Sequence, residues 1–433
     1  MRRFFLGLQS ILFIGGFTTA FAQNSARLPL QEAERHASYY SRQTSEVASA
    51  QLYTIRPGFP FTGLSLRIPH SATFAGAYVV VQQDTLYLQA DEHTAPDAPY
   101  RQASLIVFAQ PADQLLFYSA TLRGEISFSF FNASDQQGGI RPARRTNRSS
   151  RAATACEEPV FIPQDEWRAG LPAPSYTRRA TSVEHIIAHH SATFNHLTNY
   201  TNVVRNIYLF HTKENKWSDI GYNYLIAQDG TIYEGRSSGA QSVDNDNVQG
   251  AHFCGKNGGT MGICLLGNYN EAVPTDTAVA SLERLTAWKV DKEALNPLGE
   301  SPHAGNASLA TIAGHRDGCP TECPGDNLYA RLPAIRTSVA DLVERGCRPL
   351  VEASDSLLIF PVPAAAALSV RLPDSVEVSD VRLYDMAGKQ WPVPLPLADE
   401  REFTIDTTPL ATGVYVLHLR GLGIDERRKI LVE

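Results

Sequence analysis

The sequence predicts a multidomain chain: an N-terminal β-sandwich, a central α/β domain with a mixed β-sheet flanked by helices, and a C-terminal small β-sandwich. Three observations predict it. Both ends carry short apolar runs that alternate with polar residues and are broken by Pro, Gly and Asp. The middle interleaves apolar runs with stretches of helical spacing, the pattern of a sheet covered by helices. The length of 433 residues suits about three domains of roughly 100–200 residues each.

The first 22 residues read as a secretory signal peptide: Met1-Arg2-Arg3 is the positive region, Phe4 to Thr18 the apolar region, and Ala20-Phe21-Ala22 the small-x-small site before Gln23. A membrane anchor needs about 20 apolar residues. No later segment supplies them, so no transmembrane anchor is expected. A net charge of −7 argues against nucleic acid as a partner, which calls for a concentrated basic surface.

Residues 23–133 hold the runs LSLRI from Leu64, YVVV from Tyr78, TLYLQ from Thr85, SLIVF from Ser104, LLFYSATL from Leu115 and EISFSFF from Glu125. A wall-binding module and a plain structural domain fit these runs equally. Residues 134–155 change character: five arginines (Arg141, Arg144, Arg145, Arg148 and Arg151) stand against one Asp135, with too little apolar content to fold alone. They read as an exposed linker.

In residues 156–348, Val183 to Thr193 (VEHIIAHHSAT) predicts a buried strand. Asn199 to His211 has helical spacing at Val203, Ile207 and Phe210, and Tyr222 to Ile226 and Thr231 to Glu234 read as strands joined at Gln228-Asp229-Gly230. Thr277 to Leu295 and Asn327 to Glu344 are two further expected helices.

Gly314 to Gly325, GHRDGCPTECPG, offers His315 and Cys323 as metal ligands in one compact loop. A catalytic zinc site takes three protein ligands and leaves a fourth position to water, and His189 or His190 can supply the third. Alternation puts His185, Ile187 and His189 on one strand face and Ile186, Ala188 and His190 on the other, so the two neighbours cannot share one ion.

Five ordered blocks, IIAHHSA (Ile186 to Ala192), WSDIGYNYLIAQDGTIYEGR (Trp217 to Arg236), GAH (Gly250 to His252), MGICLLGNY (Met261 to Tyr269) and GHRDGCPTECPG, resemble the zinc-dependent N-acetylmuramoyl-L-alanine amidases, the family that includes the peptidoglycan recognition proteins. The resemblance implies hydrolysis of the amide between N-acetylmuramic acid and L-alanine of the stem peptide, with peptidoglycan or muropeptides as partners. It implies Zn2+ held by His189, His315 and Cys323, lowering the pKa of a water in the fourth position toward about 7. Tyr222 matches the family's catalytic tyrosine, expected to hydrogen-bond that water or the developing oxyanion. Thr321 stands where phage enzymes carry Lys and many animal relatives carry Thr, and is expected to assist catalysis. His252 in GAH and Arg236 are the expected substrate contacts. His190 should turn away from the metal, His185 and His211 should pack or hydrogen-bond, and His303 should be exposed.

Recycling amidases of the wider family have GIELEG where this chain has Gly262-Ile263-Cys264-Leu265-Leu266-Gly267, so Cys264 replaces a general-base candidate and the base role would fall to Tyr222 or the zinc hydroxide. The alternative reading is a peptidoglycan-binding recognition module without turnover. A binder needs neither Cys323 nor Tyr222. A zinc peptidase would call for an HExxH helix, which the sequence lacks. The acidic stretch Asp244 to Asn247 is a candidate contributor to stem-peptide preference.

Of six cysteines, Cys323 is the expected thiolate ligand and Cys264 a buried strand thiol. The expected disulfides are Cys156–Cys347, closing the ends of the amidase region, and Cys254–Cys319 beside the site. The last block, 355–433, resembles the C-terminal sorting domain of type IX secretion through IFPVPAAAALSVRL (Ile359 to Leu372), VRLYDMAGKQ (Val381 to Gln390), LATGVYVLHL (Leu410 to Leu419) and the terminal RRKILVE. That resemblance implies the type IX secretion machinery as a partner and a secreted or cell-surface location.

Overall fold

The structure is a computed structural model that describes residues 25–134 (apart from 37, 83, 92, 93, 95 and 96), 156–174, 178–237, 245–347, 357–372, 377–393, 395, 401–422 and 424–433. The expected signal peptide and, except for Ser134, the Arg-rich linker lie outside the described residues. The chain divides into two compact units, one ending at Cys347 and one beginning at Arg348.

The first unit opens with a five-stranded and a six-stranded sheet around one core. Alternation drives them together: in Tyr78–Val81, Val79 and Val81 are buried while Tyr78 and Val80 are half-buried. The core includes Phe61, Leu64, Phe117 and Phe128. The run from Leu115 to Leu122 is a strand only over Leu115–Tyr118, because Ala120 takes a positive φ of 42° and turns the chain.

The rest of the unit is a five-stranded mixed sheet in the order Ile232–Glu234, Tyr224–Ile226, Thr260–Leu265, His185–His190, Ile312–Gly314. The strand His185–His190 is interior, second from one edge, and pairs in parallel with Thr260–Leu265 and with Ile312–Gly314, so its register fixes where both neighbours end. Tyr224–Ile226 and Ile232–Glu234 form the expected antiparallel pair, and Tyr222 lies just before it. On one face the helices Asp276–Lys292 and Leu332–Glu344 pack Leu282, Leu285, Ile335 and Val339 against Ile186, Ala188 and Ile263. Thr275 caps the first of these by accepting from the Ala278 N–H at 3.2 Å, a contact of about 1 kcal/mol.

The helix expected over Asn327 to Glu344 is two helices, Asp326–Tyr329 and Leu332–Glu344. Pro333 lies in the first turn of the second, where its missing N–H costs nothing, and it cannot continue a helix from before. The first expected helix is Tyr200–Leu209, capped by Asn199, and it runs into a π-helical turn, Phe210–Glu214. Cys156–Cys347 and Cys254–Cys319 are both disulfides, as expected.

The second unit is a three-stranded and a four-stranded sheet enclosing Leu368, Val370, Leu383, Phe403, Leu417 and Ile430. The long pair Gly413–Leu422 and Ile424–Val432 forms its hairpin. No helix among the described residues is long and apolar enough to cross a membrane.

Candidate metal centre and its surroundings

The strand His185–His190 delivers its face as alternation predicts. Ile187 lies with Phe253, Ala313 and Cys319, whereas Ile186 and Ala188 face the helices. His189 shares the Ile187 face and meets His315 and Cys323, their ligand atoms all within 4.8 Å of one another and all three residues buried. His190 is turned away: its Nδ1 accepts the Tyr269 N–H at 3.1 Å, while its own backbone N–H donates to Cys323 Sγ at 3.3 Å.

His315 follows the strand Ile312–Gly314 directly, in a short turn held by the Gly314 N–H on Asp317 Oδ2 at 2.8 Å. The loop from there to Cys323 is closed by the Arg316 N–H on the Cys323 carbonyl at 2.9 Å and by the Cys323 N–H on Thr321 Oγ1 at 3.0 Å. The Cys254–Cys319 disulfide ties the same loop to the segment that carries His252.

Hydrogen bonding assigns the ring nitrogens. Thr260 Oγ1 donates to the Asn257 carbonyl at 3.0 Å, so it accepts from His252 Nε2–H at 3.3 Å. His252 Nδ1 is then a bare acceptor, 3.0 Å from His189 Nε2, which must carry the proton. The lone pair of His189 is left on Nδ1, 3.5 Å from Cys323 Sγ. A neutral imidazole aimed into the cluster, a second imidazole and a thiolate form a donor set suited to zinc. Burial, with the positive charge of Arg236 and then His303, lowers the His252 pKa to about 3, which keeps that ring neutral. Gly262 makes room for it: a Cβ there would stand 2.6 Å from the His252 ring.

Tyr222 is buried beside the cluster, its ring centroid 5.1 Å from that of His189 and 5.6 Å from that of His211. Asn223 locks this turn, donating to the Val248 carbonyl at 2.7 Å and accepting the Gly262 N–H at 2.9 Å. The whole arrangement is thus two imidazoles and the Cys323 sulfur converging next to a phenol, with His189 near the end of its strand, His315 just after Ile312–Gly314 and Tyr222 just before Tyr224–Ile226.

Residues 179–326 match the N-acetylmuramoyl-L-alanine amidase family, and residues 358–433 match the secretion system C-terminal sorting domain. Peptidoglycan-recognition protein SC2 of Drosophila simulans is 32% identical over 177 residues, covering 39% of this chain and 83% of the relative. The chain belongs to the N-acetylmuramoyl-L-alanine amidase family, which includes the peptidoglycan recognition proteins. Peptidoglycan recognition protein 1 of Mus musculus is also 32% identical, over 180 residues, covering 41% of this chain and 87% of the relative. Among solved structures, wild-type Drosophila PGRP-LB has 28% identity and a TM-score of 0.33, covering 40% of this chain and 92% of its own.

In this amidase-family chain the two expected substrate contacts, His252 and Arg236, are both buried. His252 lies with Nδ1 3.0 Å from His189 Nε2. Arg236 is buried with its guanidinium on backbone carbonyls, at 3.0 Å to Ile220, 3.4 Å to Gln249 and 3.5 Å to Asp219. It ties together the segments on either side of Tyr222. The hydroxyl of Thr321 is an acceptor for the ligand loop. His303, expected in an exposed loop, is half-buried at the end of the strand Glu300–His303, where it bonds the Gly258 carbonyl at 2.8 Å and packs on Phe253. His185 bonds Ala310 O and Ser301 Oγ, and His211 accepts the Gly221 N–H, as expected of structural histidines. Of the acidic stretch, Asp244 lies outside the described residues, and Asp246 is buried on Lys289 at 2.5 Å and Lys292 at 2.8 Å, not facing the site. Asn223 and Thr260 carry no separate signal in the sequence, because their roles arise only from neighbours distant in the chain.

Proposed function

We propose that the protein is a secreted, zinc-dependent N-acetylmuramoyl-L-alanine amidase that hydrolyses the amide between N-acetylmuramic acid and L-alanine of peptidoglycan or muropeptides. The observation that carries this reading is the convergence of three buried donors, His189, His315 and Cys323, beside the ring of Tyr222. Zinc held by those donors supplies Lewis acidity and a water acidic enough to attack an amide near neutral pH.

The chain's own residues supply the rest. His252 holds His189 in the tautomer that presents Nδ1. The His190 N–H stabilises negative charge on Cys323, and the Thr321 hydroxyl fixes the backbone of the same loop. Tyr222 donates a hydrogen bond from its hydroxyl to the oxyanion that develops as the carbonyl carbon becomes tetrahedral. The oxygen of a water bonds to the carbonyl carbon and the C–N bond then breaks; both protons of that water end on the leaving nitrogen, which departs as the ammonium group of L-alanine, and the lactyl carbonyl becomes a carboxylate. Cys264 is buried in the strand Thr260–Leu265 and, as a thiol, is a poor substitute for a carboxylate base.

The sorting domain at 358–433 supports export through type IX machinery to the surface or medium, after removal of the signal peptide 1–22. Mass spectrometry of muropeptides incubated with the protein tests the whole reading. Release of free stem peptide that requires zinc and is lost in Cys323→Ser is the expected result. Muropeptides that bind and stay intact with zinc present would instead establish a recognition protein without turnover.

A further inference from the structure

The two-sheet region of residues 25–134 shares a core with the amidase region. Tyr40, Val107 and Phe131 pack in one cluster with Val203, Ile207, Phe210 and Tyr222 itself. Phe194, in the loop after the metal-proximal strand, packs against both this cluster and the core of the two sheets. The contact centres on Glu214, the last residue of the π-helical turn, whose side chain is fully buried. Its carboxylate accepts from Tyr40 at 3.0 Å and from Ser129 at 2.5 Å and is ion-paired with Arg67 at 2.5 Å. Arg67 also donates to the Glu214 carbonyl at 2.6 Å. The next two residues are held as well, Asn215 by Gln102 at 2.6 Å and Lys216 by Glu34 at 2.7 Å.

What this grip holds leads directly to the site. The π-helical turn adds a residue to the helix and so sets the direction of His211. His211 accepts the Gly221 N–H on Nδ1 at 3.1 Å and lies between Trp217, at 4.5 Å, and Tyr222, at 5.6 Å. Gly221 allows no slack: a Cβ there would stand 2.5 Å from the Ala251 carbonyl and 2.9 Å from the Trp217 ring.

We infer that the two-sheet region is a positioning element for the reaction, with the Arg67–Glu214 pair and His211 as positioning residues that hold Tyr222 over the metal site. This rests on the amidase reading above. A buried, multiply bonded carboxylate is a strong specifier of geometry because any shift strands a charge away from water. A catalytic group displaced by about 1 Å can cost around a hundredfold in rate.

The test uses the full chain with Glu214→Gln, which keeps shape and loses charge, and Arg67→Lys, which keeps charge and loses the fork. Both should lower kcat at least about tenfold while KM and zinc content stay at wild-type values. In a Tyr222→Phe background the Glu214→Gln effect should largely vanish, since both changes act through one group. Val79→Ala, in the two-sheet core, controls for stability: it should lower the melting temperature and leave kcat intact below it. An unchanged kcat in both Glu214→Gln and Arg67→Lys, or a loss that persists in full without the Tyr222 hydroxyl, overturns the inference. If the wild-type protein proves inactive, the amidase reading falls alone. Amide hydrogen exchange at Gly221 and Tyr222 in metal-free protein then decides: acceleration of about tenfold or more in Glu214→Gln supports the coupling, and unchanged exchange overturns it.

Discussion

His252 stands with Nδ1 3.0 Å from Nε2 of His189, on the side away from Cys323. A histidine 63 residues further along the chain therefore sets which nitrogen His189 offers to a metal. Replacing such a partner typically costs 10–100-fold in metal affinity. We expect His252→Ala to weaken zinc binding by about that factor, measured by chelator competition. A raised KM with unchanged zinc affinity would return His252 to the substrate groove.

Cys323 is the one donor of the set that brings negative charge. Cys323→Ser should reduce bound zinc from one ion per chain to a trace, measured by elemental analysis after dialysis. Full zinc occupancy in that variant would mean the donors lie elsewhere.

Tyr222 is not one of the three clustered donors, so Tyr222→Phe should leave zinc content unchanged. Loss of one oxyanion donor should lower kcat by about 10²–10³. Steady-state hydrolysis of a muropeptide reads this directly, and a kcat within the error of wild type would remove Tyr222 from the chemistry.

Arg236, bound to three carbonyls around the Tyr222 segment, acts on the frame. Arg236→Ala strands those buried acceptors, each at about 1–3 kcal/mol. Urea unfolding should show the loss, and the same variant should not shift the binding constant for a muropeptide if it folds.

Lys289 is fully buried on Asp246, with Lys292 beside it. Burial tends to raise the Asp246 carboxyl, but the two lysines together outweigh it and hold the pKa below its ordinary value. The group therefore contributes stability above the unfolded value of about 4, and that contribution is lost as pH falls through the lowered folded value. Lys289→Met should cost about 3–5 kcal/mol near neutral pH and flatten the decline of stability from pH 6 to pH 3, followed by urea melts. Zinc content should not change, since this cluster lies apart from His189, His315 and Cys323.

Much of this protein was legible in its sequence because its signals are local. Alternation in HIIAHH placed His189 and His190 on opposite faces, and the strand keeps them there because a pleated backbone has no other choice. Pro320, Cys323 and Pro324 marked a compact loop, and the loop closes on Cys323. Cysteine positions and the β-rich tail were equally readable. What the sequence could not determine depends on groups far apart along the chain. The motif GAH marked a site residue but not that His252 would be enclosed by Gly262 and Thr260 and turned to His189. Arg236 looked available for substrate until folding surrounded it with carbonyls. The acidic stretch holding Asp246 read as a contributor to stem-peptide preference, and the chain gave no local sign that Lys289 and Lys292 would meet Asp246. Nothing local announced that Arg67 and Glu214 would pair across 147 residues and join the first two sheets to the amidase fold. Side-chain periodicity follows from backbone geometry and is written into each segment, whereas burial and charge pairing follow from which segments meet, and only the tertiary structure decides that.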